Sequence, residues 1–276
     1  VVDDVVYVGS VDNRVYALDA STGTQIWNYT TGGAVHSSPT VVDSEVYVGS
    51  DDGKVYALNA ATGAQIWNYT TSGNVESSPA VVNGVVYVNA YILYALNAST
   101  GTQIWSYSAD NPLWPPVSPV VVNGVAYVGS SLGDFDAVNA ANGVQVWKTY
   151  LIWGLDIIFS PVVAYGVVYA GVIAGNPLYG LSMTTGAQVW ACQAGENGYG
   201  SAAVAGGVIY KGGGGTVYAL DVAPGPSCIW TYQTGGAWVR SSPAVVDGVV
   251  YVGSDDGKVY AFGQLPTPTL KVLSPE

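Results

Sequence analysis

Along this chain, runs of five or six residues rich in valine, tyrosine, leucine and alanine are separated by short clusters of glycine, asparagine, aspartate and proline. Val46-Tyr47-Val48-Gly49-Ser50 and Lys54-Val55-Tyr56-Ala57-Leu58-Asn59 are two such runs. The alternation within Val46-Tyr47-Val48 puts one set of side chains on each face of a pleated strand. The clusters between runs are turns with a mechanism. Asn83-Gly84, Asn123-Gly124 and Asp247-Gly248 are two-residue hairpin turns, whose positive φ angles favour Asn or Asp followed by Gly. Asp51-Asp52-Gly53 and Asp255-Asp256-Gly257 join the next pair of runs, and Thr22-Gly23, Thr62-Gly63, Thr100-Gly101 and Thr185-Gly186 the pair after that. Four antiparallel strands per unit follow, here called a to d.

The unit recurs. Trp27, Trp67, Trp105, Trp147, Trp190 and Trp230 follow one another at gaps of 40, 38, 42, 43 and 40. A period near 40 is the signature of propeller blades. Ser37 to Thr70 carries the consensus almost unaltered: Ser-Ser-Pro-Ala-Val-Val, Val-Val-Tyr-Val-Gly-Ser, Lys-Val-Tyr-Ala-Leu-Asn, Gln-Ile-Trp-Asn-Tyr-Thr. A sheet with two apolar faces buries neither alone, so successive sheets stack around an axis. The pattern predicts an all-β chain with a single seven-bladed propeller over residues 1–262. Small-residue strand a lies innermost and strand d at the rim. The first unit keeps only Val1-Val2 of strand a and the last stops at Phe262 after strand c. Residues 263–276 are then a C-terminal strand or a linker. Either Thr269 to Leu273 supplies the last outer strand, or that strand lies outside the chain, and a longer parent protein allows eight blades.

Composition narrows the partners. Charged residues are 9% of the 276, and the net charge is −12 with seven Lys and Arg. Repulsion disfavours a nucleic-acid backbone or an anionic membrane surface. The longest apolar stretch, around Leu151 to Phe159, is broken by Gly154 and Asp156 and is too short to insert in a bilayer. The opening Val1-Val2-Asp3 matches the middle of a repeat, and Pro266, Pro268 and Pro275 give Thr267 to Glu276 a linker character, so a larger parent protein is expected. Cys192 and Cys228 stand two residues after and two before their tryptophans on neighbouring outer strands, where a disulfide is geometrically strained.

The stretch Ala17-Leu18-Asp19-Ala20-Ser21-Thr22-Gly23-Thr24-Gln25-Ile26-Trp27 resembles the tryptophan-docking motif of the PQQ-like, or quinoprotein-like, repeat family. It returns as Ala57 to Trp67 and Ala95 to Trp105. Looser copies run Ala137 to Trp147, Gly180 to Trp190 and Ala219 to Trp230, the last with Pro224-Gly225 in place of Thr-Gly. In that family the tryptophan wedges between blades, which implies a structural role for all six. The resemblance implies three kinds of function. Quinoprotein dehydrogenases bind pyrroloquinoline quinone (PQQ) and calcium, but have longer chains and an adjacent Cys-Cys pair that this sequence lacks. Scaffold lipoproteins of bacterial outer-membrane assembly bind another protein. Cell-surface repeat proteins, to which this chain is most similar, use such repeats as an ectodomain. A lyase on the same fold stands beside the dehydrogenase as the catalytic alternative.

Chemistry beyond the repeat is sparse. His36 is the one histidine, and no nucleophile elbow, phosphate loop or zinc-ligand pair occurs. Asp51-Asp52 and Asp255-Asp256 offer too few oxygens for calcium and read as turn residues. Catalytic and metal residues are therefore expected to be absent, as is a cofactor. Three of the nine tryptophans, Trp114, Trp153 and Trp238, fall outside the motif and in d-to-a loops. The irregular loops are Asp110 to Pro116, Tyr150 to Phe159 and Glu196 to Gly200, and the place just before strand a varies as His36, Glu76, Phe159 and Arg240. Such loops emerge together near a propeller axis, so Trp114, Trp153, Trp238, Tyr199, His36, Glu76 and Arg240 form the expected face for a protein or carbohydrate. Apolar plugging of the channel by the same residues is the competing reading. Asn28, Asn68 and Asn97 begin N-glycosylation triplets. The functional expectation is a non-catalytic binding or scaffold module at the cell surface, extracellular or alternatively periplasmic.

Overall fold

The structure, a computed structural model, describes residues 1–113, 117–151, 160–172, 177–193, 200–222, 227–263 and 270–273. Seven antiparallel sheets succeed one another along the chain, the first of three strands and the rest of four, giving the seven-bladed β-propeller that the repeat predicts. Among the described residues the helical content is one 3-10 turn, Ser131–Gly133. In every sheet each strand pairs with its neighbour in sequence. The second blade shows the plan: strand a is Thr40–Val42, b Glu45–Ser50, c Lys54–Asn59 and d Gln65–Thr70.

Both ends of the pattern are now defined. In the last blade Leu270–Leu273 pairs antiparallel with strand c, Val259–Phe262, so the chain supplies its own outer strand there. In the first blade Val5–Ser10, Arg14–Asp19 and Gln25–Thr30 are strands b, c and d. Strand a is represented by an isolated bridge between Val2 and Val5.

The turns adopt the conformations their residues demand. Asn83 and Gly84 have φ of 51° and 73°, and Asp247 and Gly248 have 49° and 75°. Positive φ at both central residues matches the right-handed twist of a hairpin. A bulge, not foreseen from the pattern, separates strands c and d. Trp67 lies opposite Ala57 and Gln65 opposite Leu58, so Ile66 has no partner. The same slip recurs at Ala17/Leu18, Ala95/Leu96, Gly180/Leu181 and Ala219/Leu220. An extra residue in one strand re-aims its neighbours. Here it leaves Trp27, Trp67 and Trp105 buried beside exposed Ile26, Ile66 and Ile104.

The chain divides into two compact units, Val1–Ser131 with Asp136–Val146, and Leu132–Phe135 with Trp147–Glu276. In the first, each blade buries one face against the next. Val15, Ala17 and Trp27 meet Val46, Val48 and Tyr56, while Tyr47, Val55 and Trp67 meet Val86, Val88 and Tyr94. Tyr87, Leu93 and Trp105 likewise meet Ala126, Val128 and Val138. In the second unit Tyr169 and Leu178 pack on Ile209 and Leu220, and Val217 and Val239 on Val250 and Tyr260. Burying each such side chain contributes roughly 1.5–3 kcal/mol, which makes these junctions the main source of stability.

Candidate functional site

The repeated tryptophans make one contact four times over. Trp27 Nε1 donates to the Ala60 carbonyl at 2.8 Å, Trp67 to Ala98 at 2.6 Å, Trp105 to Ala140 at 3.0 Å and Trp147 to Met183 at 3.1 Å. Each acceptor lies in the c-to-d turn of the following blade. The glycine of that turn has its α-carbon under the indole, since a Cβ on Gly63, Gly101, Gly143 or Gly186 would stand 2.5–2.9 Å from the ring. Trp190 and Trp230 are less buried. The turns that would face them, 223–226 and 264–269, lie outside the described residues.

The d-to-a loops are anchored by a small set of recurring bonds. Val35, Val75 and Val239 are buried against Gly9, Gly49 and Gly212 at the end of the preceding blade's strand b, where a Cβ would collide at 2.3–2.5 Å. Ser37 Oγ then donates to the Gly49 carbonyl at 3.0 Å and accepts from its N–H at 2.8 Å. Ser77 does the same at Asn89, and Ser241 at Gly253. The residue between the buried valine and this serine is held by its backbone while its side chain stays outside. That residue is His36, Glu76 or Arg240.

The paired carboxylates of the b-to-c turns divide their duties. The second of each pair staples its own blade: Asp52 accepts from Tyr56 Oη at 2.5 Å and Lys54 N–H at 3.0 Å, and Asp256 from Tyr260 Oη at 2.6 Å. These bonds hold the Asp256 carboxyl down at about 2. The first of each pair faces the loop. In the first unit Asp51 Oδ2 lies 3.4 Å from His36 Nε2, and its Oδ1 is buried with no hydrogen-bond partner among the described residues. In the second unit Asp255 Oδ2 accepts from Arg240 Nε at 2.9 Å. The Arg240 guanidinium in turn sits 4.8 Å above the Trp238 ring. Asp51 N–H donates to the Ala34 carbonyl and Asp255 N–H to that of Trp238, both at 2.9 Å, so Trp238 occupies the place of Ala34. Trp238 is 36% exposed.

The loop into the fourth blade is built differently, and by residues that sequence reasoning passed over. Asn89 stands where the consensus has Gly49. It is fully buried, and its Nδ2 donates to the carbonyls of Leu113 at 3.0 Å and Val117 at 3.2 Å. Tyr91 stands where the consensus has Asp51, with φ of 67°, and bridges to Leu113. Its ring lies over Gly73, where a Cβ would be 2.2 Å away. The readable signal was the break from Val-Gly-Ser to Val-Asn-Ala at this blade. Glu76 is half-buried, with no ion-pair partner among the described residues. Of the other expected face residues, Trp114, Trp153, Phe159 and Tyr199 lie outside the described residues. Within a unit the structure thus joins His36 to Asp51, and Trp238 to Arg240 and Asp255.

This arrangement suits recognition. The Arg240–Asp255 ion pair and an aromatic platform offer charge and apolar area at a loop base, but no nucleophile activated by a base. Among the described residues no cluster of three or more His, Cys, Asp and Glu side chains could hold a metal ion. Cys192 and Cys228 are free thiols on separate strands, and the described residues supply no clustered donor set that fits a PQQ and calcium centre. Asn28 and Asn68 are exposed on outer strands, whereas the Asn97 side-chain oxygen accepts from Ser99 N–H and Thr100 N–H, both at 3.0 Å.

A family model described as outer membrane protein assembly factor BamB matches residues 1–54, 41–176 and 174–265. The chain belongs to the PQQ-like repeat family. Solved structures agree on the fold. BamB from Moraxella catarrhalis superposes with a TM-score of 0.80 at 20% identity, covering 99% of this chain and 83% of that one. The computationally designed Ika8 protein gives 0.81 at 15% identity, covering 94% and 80%. Quinohemoprotein alcohol dehydrogenase ADHIIG from Pseudomonas putida HK5 gives 0.75 at 18% identity, covering 95% of this chain and 64% of that one. No curated protein matches the sequence. The PQQ-like repeat therefore accounts for the seven blades, and likenesses this distant carry the fold and no activity. No helix among the described residues is long and apolar enough to cross a membrane.

Proposed function

We propose that this PQQ-like repeat propeller is a non-catalytic binding module of the cell envelope, at the cell surface or in the periplasm, which holds a partner protein at its d-to-a loops. The observation that carries this reading is the Trp238, Arg240 and Asp255 group. A tryptophan stands where the other loops have Ala34 and Asn74, in a loop one residue longer, stays partly exposed, and is covered on one side by a guanidinium that is itself oriented by a carboxylate. Trp and Arg dominate the energetic centres of protein interfaces. The cation covers one face of the ring and leaves less of it open to stack on a sugar, which favours protein over carbohydrate. The likeness to BamB, whose family description is outer-membrane assembly, supports a scaffold role and an envelope location. The six repeated tryptophans are the docks that keep each blade against the next, and Asn28 and Asn68 are the exposed acceptors suited to carry glycans.

A photoreactive phenylalanine placed at position 238, at 36 or at rim position 66 tests this in the native host. Discrete cross-linked protein species are expected from 238 and 36 and not from 66, with Arg240→Ala lowering the yield at 238. Equal yields from all three positions, or a saturable rise in melting temperature on adding PQQ with calcium, would overturn the reading.

A further inference from the structure

The junction between the fifth and sixth blades departs from the repeat at both ends of one recurring contact. Between the first four blades, the tyrosine two residues after a docking tryptophan donates to the glutamine two residues before the next one. Tyr29 Oη reaches Gln65 Oε1 at 2.5 Å, Tyr69 reaches Gln103 at 2.5 Å and Tyr107 reaches Gln145 at 3.0 Å. Strand register carries both positions over to the later blades. Tyr29 lies opposite Val15 as Cys192 lies opposite Leu178, and Gln65 lies opposite Leu58 as Cys228 lies opposite Leu220. The two cysteines of the chain thus occupy the two positions that elsewhere touch across a junction, and both are free thiols.

A third, independent departure falls at the same junction. Lys211 stands where Val48 belongs to the cluster on which Tyr29 packs, and it is 1% exposed. Cys192 is half-buried against the cluster of Tyr169, Ile209 and Leu220, while Cys228 is exposed. Burial pushes the Cys192 thiol up to about 11, and the Lys211 ammonium acts against that rise.

The span decides what can join the two sulfurs. Facing sheets pack about 10 Å apart. A disulfide joins α-carbons no more than about 7 Å apart, so a gap that takes a phenol and an amide to close is too wide for one. Two thiolates on one metal ion stand about 4.6 Å apart at metal–sulfur bonds of about 2.3 Å, which with the two side chains matches the span. No third His, Cys, Asp or Glu among the described residues joins them, so the donor set is two thiols. Zinc asks for four ligands and calcium for six or more oxygens, whereas soft thiolates select copper(I).

We propose that Cys192 and Cys228 form a two-coordinate site for copper(I), with Lys211 as its balancing charge. The two S–H groups give their protons to solvent and two S–Cu bonds form, with no change of oxidation state. The bound group carries one negative charge, which the Lys211 ammonium offsets inside the junction. Cys228, at the exposed end, admits the ion. The site lies on outer strands, apart from the loop groups, and its failure leaves the loop reading untouched.

The test is anaerobic titration of the reduced full chain with copper(I) held by bicinchoninate, whose colour fades as the protein takes the ion. Transfer of one copper(I) per chain is expected, with a new thiolate-to-copper absorption in the ultraviolet. Cys192→Ser and Cys228→Ser each abolish transfer. Lys211→Met keeps both sulfurs and weakens binding about 10- to 100-fold, the usual effect of losing a group that supports metal ligands. The double change Cys192→Tyr with Cys228→Gln restores the contact of the other junctions, and this variant should fold, by its melting transition, and leave the copper with the chelator. No transfer to the parent, unchanged transfer to either serine variant, or undiminished affinity in Lys211→Met overturns the site. A disulfide between Cys192 and Cys228 within one air-oxidised chain, read by intact mass, shows a span too short for the metal bridge and overturns it as well.

Discussion

Lys211 carries a charge into a place where the repeat puts valine. Val48, Val88, Val128 and Val252 hold the equivalent position on strand b and are 0–1% exposed, and Lys211 is itself 1% exposed. Its Nζ donates to the Gly212 carbonyl at 3.2 Å. Burial pushes its ammonium down to about 8 from an ordinary 10.5. The nearby Cys192 thiol is pushed up to about 11 by its own burial, so it stays neutral below that pH and supplies no counter-charge. The unfolded chain keeps the lysine proton up to its ordinary value while the folded chain releases it earlier. The penalty for burying the charge is thus complete below pH 8, shrinks as pH rises, and is gone above the unfolded value. A shift of two to three units corresponds to about 3 kcal/mol at neutral pH.

Lys211→Met removes the charge and keeps an unbranched chain of similar volume. We expect the variant to be more stable than the parent by about 3 kcal/mol at pH 7, by about 2 at pH 9, and by less than about 0.5 at pH 10.5. Urea unfolding of both proteins at the three pH values measures this, and the titrations of shared tyrosines cancel in the difference. The denaturant slope should not change. Lys211→Val gains less, because the space left by the longer side chain costs packing. A Met variant less stable than the parent at pH 7, or a difference that does not vary with pH, would refute the argument.

Gly101 and Gly23 occupy the same turn at φ of 71° and 70°, but a Cβ on Gly101 would lie 2.7 Å from the Trp67 ring while one on Gly23 meets nothing within 4 Å among the described residues. Gly23→Ala should therefore cost only the left-handed backbone strain, roughly 1 kcal/mol, and Gly101→Ala about 1–3 kcal/mol more, read from denaturant midpoints. Trp67→Phe keeps much of the buried ring but leaves the Ala98 carbonyl only the long 3.5 Å bond from Tyr47 Oη, so a loss of about 1–3 kcal/mol is expected by the same assay. Hydroxyl and backbone bonds from Ser21 and Thr22 hold the Asp19 carboxyl down at about 2 from 3.8. Its stabilisation is present above the ordinary value and is lost as pH falls toward 2, so Asp19→Asn, which copies Asn59 in the next blade, should flatten the acid limb of melting temperature against pH.

The strands, the hairpin turns and the tryptophan period were legible because each rests on local chemistry: Asn-Gly for positive φ, β-branched runs for pleat, one indole per blade. The c-to-d bulge was not, since Gln65-Ile66-Trp67 reads as plain alternation until the partner strand shows Ile66 left over. The roles of Asp51 and Asp52 were equally hidden. Both sit in a turn and read as turn residues, yet Asp52 accepts from Tyr56 within its blade and Asp51 faces His36 across a loop, a distinction fixed by which way each side chain leaves the turn. The outer strand Leu270–Leu273 was visible as one of two options, and pairing with Val259–Phe262 decides between them.

Near-identical repeats make every departure from consensus a physical statement, because the same backbone has been solved several times over in one chain. Asn89 in place of glycine and Tyr91 in place of aspartate rebuild the base of one loop. In the second unit, Trp238, where the other loops have Ala34 and Asn74, brings an aromatic surface under Arg240. Lys211 in place of valine brings a buried charge beside Cys192, which stands where other outer strands have tyrosine. The first two departures fall at loops and the third at a blade junction, and the junction is where the repeat otherwise tolerates only apolar side chains. A charge retained at such a cost to stability has a different explanation from the loop groups. The pH dependence of the Lys211→Met variant separates that cost from any role the loops play in binding.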